Sequence, residues 1–290
     1  MFDYAEFTTR NLGFVTEAQQ DALRRAHVFV CGTGGMGGAA LLALTRAGVG
    51  RLTICDIDAF EVSNLNRQVF CWLDTVGQHK AHATADQLRR INPDLVLEVL
   101  EGNWTDHVNR IVSEADLVIN GTDDLGASLL LYRTARAQGR AVIDSYASPL
   151  PSVYVTRPDD PMPEERLGYP TRDVAWDALT DDLRARAFQG EAEYVMVHSA
   201  SAFHIDLDMA GEVAAGTRSR MSFAPMVITS GMLMGYEALG LITGTKTATD
   251  YRGWFLNPYR ARVERPRNAL VAAILRPIVR RKLKQMMGAG

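Results

Sequence analysis

The residues best suited to chemistry cluster in the first half of the chain. Gly32-Thr33-Gly34-Gly35-Met36-Gly37 places a GxGxxG spacing between a short β-branched run and an Ala/Leu-rich stretch. Glycine there removes the Cβ that would keep a backbone away from phosphate, and a helix beginning at such a turn offers its N–H groups to an anion. Asp56 follows Gly37 by nineteen residues, where a carboxylate can accept hydrogen bonds from ribose hydroxyls. Taken alone, these residues point to a dinucleotide such as NAD. A tight turn that merely packs a helix on a strand would need the same glycines.

The polar residues that come next are not those of a dehydrogenase. Residues 56–68 read Asp-Ile-Asp-Ala-Phe-Glu-Val-Ser-Asn-Leu-Asn-Arg-Gln, and 75–81 read Thr-Val-Gly-Gln-His-Lys-Ala. Thr122-Asp123 stands farther on. The glycine turn, Asp56 and Asp58, Asn64 with Arg67-Gln68, Val76-Gly77 with Lys80-Ala81, and Thr122-Asp123 occur in this order. Across residues 10–150 the chain closely resembles the ThiF/MoeB/HesA family, which includes the ubiquitin-activating enzymes. The resemblance implies that a carboxylate attacks the α-phosphorus of ATP and that pyrophosphate leaves.

It further implies that Gly32, Gly34, Gly35 and Gly37 cradle the nucleotide and that Asp56 holds the ribose. Asn64, Arg67 and Lys80 would contact phosphates, and Asp123 would organise Mg2+. Such chemistry asks the protein mainly for positioning and charge neutralisation. Arg67 brings a planar fork of donors and Lys80 a mobile point charge. Arg10, just before the first expected helix, corresponds to an arginine that reaches the ATP site of the other protomer, which requires a homodimer. Plainer roles also fit: a solvated helix-start lysine for Lys80, a helix cap for Asp123, a loop cap for Asp58 and a surface arginine for Arg10.

The chain departs from that family in its cysteines. Relatives often bind a structural zinc through two CxxC pairs, and zinc takes four ligands. Here there are only Cys31, Cys55 and Cys71, with no CxxC, so a four-cysteine zinc site is excluded. No cysteine follows Thr122-Asp123 to carry an enzyme thioester, so the activated acyl group is expected to pass directly to its acceptor. Cys31 and Cys55 lie within expected strands and read as core residues; Cys71, near Arg67, is the one candidate for a chemical role. His198, His204, Asp206, Asp208 and Glu212 lie where relatives run a crossover loop, and they could ligate a metal or simply be polar loop residues.

These side chains require a scaffold of alternating strands and helices. TEAQQDALRRA (16–26) reads as a helix capped by Thr16. HVFVCG, the glycine turn, AALLALTRAGVG and RLTICDID then form a strand–turn–helix–strand unit. Helices are expected over Lys80–Arg90, Asp106–Glu114 and Leu129–Gln138, with strands at LVLEVLE, ADLVING and RAVIDSY. SVYVTRP suggests an antiparallel strand. Residues 157–222, broken by Pro158, Pro161, Pro163 and Pro170, read as a long, partly ordered excursion. Beyond it come a helix over Ala224–Gly240, a strand in WFLNPYRARVER, and a basic amphipathic helix over Leu270–Met287 interrupted at Pro277.

The expected fold is therefore α/β: a Rossmann-like open, mainly parallel sheet with helices on both faces. Residues 1–150 form the ATP-binding part, and 151–290 a crossover loop, return helix and basic C-terminal helix packed on the same domain. The 290 residues are 47% apolar and 22% charged, as in soluble globular proteins. Few, unpaired cysteines and a charged, non-apolar N-terminus suggest a cytoplasmic protein without a signal peptide, and no apolar run is long enough to suggest a membrane span. Residues 251–290 hold ten Arg or Lys against one acid, Glu264, while the other 250 residues carry 21 basic and 33 acidic groups. That tail could meet RNA, an anionic surface or an acidic partner, or could pack on the body through Leu270, Ile274, Leu275, Ile278 and Leu283.

The expected function is ATP-dependent adenylylation of a carboxylate: the C-terminus of a ubiquitin-like carrier protein, or a peptide or small-molecule acid. A tRNA-modifying cyclase or dehydratase of the same superfamily and a non-catalytic nucleotide-binding scaffold are the alternatives. A nicotinamide-dependent dehydrogenase fits the later motifs poorly.

Overall fold

A computed structural model describes residues 1–214 and 217–288. Its centre is one eight-stranded sheet in the order β3-β2-β1-β4-β5-β6-β7-β8. The strands are β1 (His27–Cys31), β2 (Arg51–Cys55), β3 (Val96–Leu100), β4 (Leu117–Asn120), β5 (Ala141–Asp144), β6 (Ser152–Thr156), β7 (Trp254–Asn257) and β8 (Arg262–Glu264). The first five in that spatial order run parallel. The last three join antiparallel, as the SVYVTRP pattern suggested for β6. The expected single strand in WFLNPYRARVER is a hairpin, because Pro258 cannot donate to a ladder and opens a turn over Pro258–Arg260.

The helices are α1 (Tyr4–Thr8), α2 (Glu17–Arg25), α3 (Gly35–Arg46), α4 (Lys80–Ile91), α5 (Trp104–Glu114), α6 (Leu125–Ala137), α7 (Pro163–Arg166), α8 (Asp181–His198), α9 (Leu207–Ala214), α10 (Ala224–Thr243) and α11 (Ala269–Gly288). Alternation along β1 sorts them onto two faces. Val28 and Val30 join a core with Leu41 and Leu44 of α3, Leu88 of α4 and Met234 of α10. Phe29 and Cys31 point the other way, to Trp104 and Ile111 of α5 and Leu131 of α6. All five β1 residues are buried, the pattern expected of a central parallel strand covered on both sides.

Local chemistry sets several boundaries. Thr16 and Gln19 exchange hydrogen bonds as a capping box at the start of α2. Helix α6 begins four residues earlier than its apolar pattern suggested, because the Asp124 carboxylate accepts from Ala127 N at 2.7 Å. Helix α10 is long and apolar enough to cross a bilayer by composition. It is instead a core helix: Gly231 and Gly235 bring its backbone close to α3, with a Cβ on Gly231 falling 2.3 Å from Met36 O.

The 157–222 excursion is more helical than its sequence suggested, containing α7, α8 and α9; residues 215 and 216 lie outside the described residues. Helix α8 starts where Thr180 accepts from Leu183 N, with Asp181 and Asp182 in the first turn. Its apolar residues do not repeat on one face, since α8 packs several ways, which hid it from a periodicity argument. Helix α11 continues through Pro277. The ring costs one backbone hydrogen bond, but Pro277 is exposed, so water can take up the freed carbonyl.

Candidate active site

The parallel strands β1, β2, β4 and β5 end on one edge, where open α/β sheets bind ligands. The glycine turn follows β1. Gly32 has φ +90°, and a Cβ there would lie 2.6 Å from Gly121 C. A Cβ on Gly37 would lie 1.9 Å from Gly32 O. Only glycines let the start of α3 sit so tightly between the ends of β1 and β4. No side chain caps α3, so its first-turn N–H groups are not taken by a capping side chain.

Asp56 fastens the end of β2 to this turn. One carboxylate oxygen accepts from Thr33 N at 2.7 Å and Thr33 Oγ1 at 3.0 Å. The other accepts from the N–H groups of Ile57 and Asp58. Four donors thus orient the carboxylate at the end of β2 and match its roughly four lone-pair sites, so a further donor would share or displace one of them.

The segment after Asp56 folds back over the glycines. Asn64 is buried, and its Oδ1 accepts from Glu61 N at 3.1 Å, so its carbonyl shapes a 3-10 turn. Arg67 follows, its Nη1 donating to Ser63 O and Asn66 Oδ1. The Arg67 backbone and the Gln68 side chain lie against Gly35 and Gly34. Gln68 Oε1 is buried with no hydrogen-bond partner, an orphaned acceptor beside the turn.

Lys80 opens α4 and is not a solvated helix-start lysine: its side chain is 10% exposed, and Nζ donates to Asp58 Oδ2 at 2.8 Å. Asp58 therefore pairs with Lys80 instead of capping its own loop. Asp123, beyond β4, is 84% exposed on its side chain, with Arg220 Nη1 at 3.7 Å. The cap of α6 belongs to its neighbour Asp124, which also pairs with Arg184 at 2.6 Å. Asn66 Nδ2 donates to Ser222 O, tying the returning crossover segment to the Arg67 loop. The fold thus brings Arg184 and Arg220 to the same edge as the motif residues, and single arginines in a Pro-broken segment gave no sign of this.

Arg10 is exposed and lies elsewhere. Its neighbour Asn11 donates to Ala47 O, and Tyr4 donates to Gly48 O, both at the C-terminal end of α3. The glycine turn is at the other end, about 18 Å along that helix. The structure does not bring Arg10 to the site of its own chain.

Behind the edge lies a buried polar layer. Burial pushes the Asp144 carboxyl up to about 6, against hydrogen bonds from Asn120, Ser145 N, Tyr154 and Tyr132 that favour its charged form. Arg166 stacks over Tyr154 at 4.6 Å and donates to Tyr146 OH. Burial also pushes the Glu191 carboxyl up, offset in part by a hydrogen bond from Ala147 N. None of these three stood out in the sequence.

Cys31 and Cys55 are buried opposite each other on β1 and β2. Cys71 is buried too, and desolvation pushes its thiol up despite Lys80 and Arg67 nearby, which makes it a poor nucleophile. The histidine–acid segment does not converge on a metal. His198 Nδ1 accepts from Arg267 N, and His204 stacks on Tyr259. Asp206 accepts from Asp208 N and Met209 N, and Glu212 pairs with Arg218.

Among the described residues no three His, Cys, Asp or Glu side chains group as a metal cage. Mg2+ ordinarily takes one or two carboxylates and completes its shell with water and phosphate oxygens. The exposed Asp123, beside a cationic, glycine-lined edge, fits such an ion arriving with a nucleotide. Donor N–H groups, Arg67, Lys80, Arg184 and Arg220 give that edge the donors and positive charge that binding a polyphosphate would require.

The chain belongs to the ThiF family, which it matches over residues 8–270. It is 34% identical over 125 residues to the sulfur carrier protein adenylyltransferase of Thermus thermophilus, covering 43% of this chain and 46% of that protein. It is 35% identical over 117 residues to the tRNA threonylcarbamoyladenosine dehydratase of Haemophilus influenzae, covering 38% and 44%. The chain spans less than half the length of the curated relatives it matches. Its fold matches the crystal structure of E. coli MccB with ATP at a TM-score of 0.60 and 16% identity, over 87% of this chain and 67% of that one.

Proposed function

We propose that this ThiF-family chain adenylates a carboxylate with ATP. The observation that carries the reading is the Lys80–Asp58 pair, linked through Asp56 to Thr33 of the glycine turn, with Arg67 and Asp123 on the same sheet edge. Dinucleotide binding would need the glycines and Asp56 but would leave this charged set without a task.

In the proposed reaction the glycine turn and the N-terminus of α3 receive the phosphates, and Asp56 accepts from the ribose. Arg67 and Lys80 neutralise charge as a carboxylate oxygen bonds to the α-phosphorus. The bond from that phosphorus to the bridging oxygen breaks, and pyrophosphate leaves with the electron pair. Asn64 acts through the turn it builds and through its amide. Mg2+, held by Asp123 and phosphate oxygens, would supply further neutralisation of the polyphosphate. Preorganised charge of this kind is the largest contribution a protein makes to such a transfer.

The buried cysteines support direct delivery of the acyl-adenylate, without an enzyme thioester. The carboxylate is assigned to the C-terminus of a ubiquitin-like carrier protein, in line with the Thermus relative's name, or to a peptide or small-molecule acid. A tRNA-borne carboxylate is the second reading, favoured by the name of the Haemophilus relative and by the basic residues of 251–290. A homodimer in which Arg10 reaches the partner's site completes the proposal, in a reducing cytoplasm that suits three free thiols.

Product analysis tests the reaction class. Incubation with ATP and the matching acid is expected to yield AMP and pyrophosphate. Formation of ADP and phosphate would contradict adenylylation. Nucleotide binding with no turnover across carrier, peptide and tRNA acceptors would favour a scaffold, and NAD binding that ATP does not displace would favour a dehydrogenase.

A further inference from the structure

Nothing in the proposed nucleotide chemistry uses the C-terminal pole of the molecule. Helix α11 docks by one face only. Ala272 and Val279 are buried there with Val197 of α8, and Leu275 and Leu283 pack against them. Glu193 of α8 receives Arg280 at 2.7 Å and Arg276 at 3.8 Å. Of the five apolar positions expected to pack, three do not: Leu270, Ile274 and Ile278 are 79%, 68% and 62% exposed. Spaced four residues apart, they form a single stripe on the side away from α8.

The stripe runs into cations. Arg281 and Lys284 continue the same side of the helix and are exposed there beside Pro277, Arg280 and Gln285. The neighbouring β7–β8 hairpin exposes Tyr259 and Val263 among Arg260, Arg262 and Arg265. Phe203 is exposed beside His204, which stacks on Tyr259, so these residues share one pole. The one acid of the segment, Glu264, is buried and already holds Asn257, Arg262 and Ala200 N.

We propose that this pole docks on an anionic lipid bilayer. The N-terminal half of α11 enters the acyl boundary through Leu270, Ile274 and Ile278, and Arg281 and Lys284 meet headgroup phosphates. An amphipathic helix binds such a surface by apolar burial and charge attraction together. RNA would engage the cations but leave the aliphatic stripe in water, since bases are read by stacking and hydrogen bonding. A second copy of α11 would cover the stripe only by bringing two strongly basic segments together. The bilayer satisfies both halves of the surface.

The test is flotation of the full chain with phosphatidylcholine vesicles, with and without phosphatidylglycerol. The protein should float with the anionic vesicles only, and added salt should weaken this. Ile274→Asp with Ile278→Asp should cut the bound fraction about tenfold, and Arg281→Gln with Lys284→Gln should lower it and flatten the salt dependence. Both pairs are exposed, so an unchanged thermal melt is expected and shows that loss of binding is not unfolding. Equal binding to neutral vesicles, or wild-type binding by the aspartate pair, would overturn the proposal. So would capture by RNA in preference to vesicles, or self-association that the aspartate pair abolishes while vesicles bind neither form.

Discussion

Asp58 holds Lys80 in place before any nucleotide arrives, so the ammonium need not be recruited from solvent when charge develops. Lys80→Ala removes that charge and is expected to lower the adenylation rate at least about a hundredfold. Asp58→Asn leaves the lysine but not its tether, and the loss of rate should be smaller, about tenfold. Steady-state measurement of both variants checks the order; equal losses would show that Asp58 does more than position Lys80. Among the candidate residues Asp56 was legible from its place at the end of β2, and Arg67, Lys80 and Asp123 only through the family resemblance that their motifs carry. Gln68 Oε1, Arg184 and Arg220 matter only through three-dimensional approach. The orphaned state of the first and the long loop before the other two leave no local spacing to read.

At the scale of elements, the glycine turn is the tightest joint in the sheet edge. Gly37→Ala would drive a methyl into Gly32 O, so the variant should lose about 3 kcal/mol of stability in urea unfolding. The docking of α11 is expected to depend on acid through His198. Burial, with Arg276, Arg267 and Arg252 nearby, lowers its pKa to about 4, so the folded form keeps a neutral ring that accepts from Arg267 N. The unfolded chain takes up a proton near pH 6.5. The stabilisation is therefore complete above that pH and is lost as pH falls toward 4. Protection from hydrogen exchange over residues 269–288, taken relative to the intrinsic rate at each pH, should fall across that window in the wild type, and His198→Gln should remove the dependence. The parallel strands, α3 and α10 were readable because continuous apolar runs report burial directly. Helix α8 was not, because its apolar residues serve several neighbours, and α11 was expected to be interrupted at Pro277 because proline removes a helix hydrogen bond, but that residue sits on an exposed face where the loss costs little.

At the scale of the molecule, the eight strands of the described residues form one continuous sheet, and the crossover elements return over its candidate edge through the Arg184–Asp124 and Asn66–Ser222 contacts. Arg10 lies at the far end of α3, so any part it plays belongs to a second copy. Mixing Arg10→Ala with Lys80→Ala protein should then restore about a quarter of wild-type activity, because random exchange leaves one competent site in half of the dimers. No recovery, from variants shown by sedimentation to exchange subunits, would remove Arg10 from the reaction. The central claim is that this edge reversibly joins a carboxylate to AMP. The most direct measurement is carboxylate-dependent exchange of labelled pyrophosphate into ATP. The account predicts exchange by the wild type and none above background for Lys80→Ala or Asp123→Ala. Undiminished exchange in both variants would contradict it.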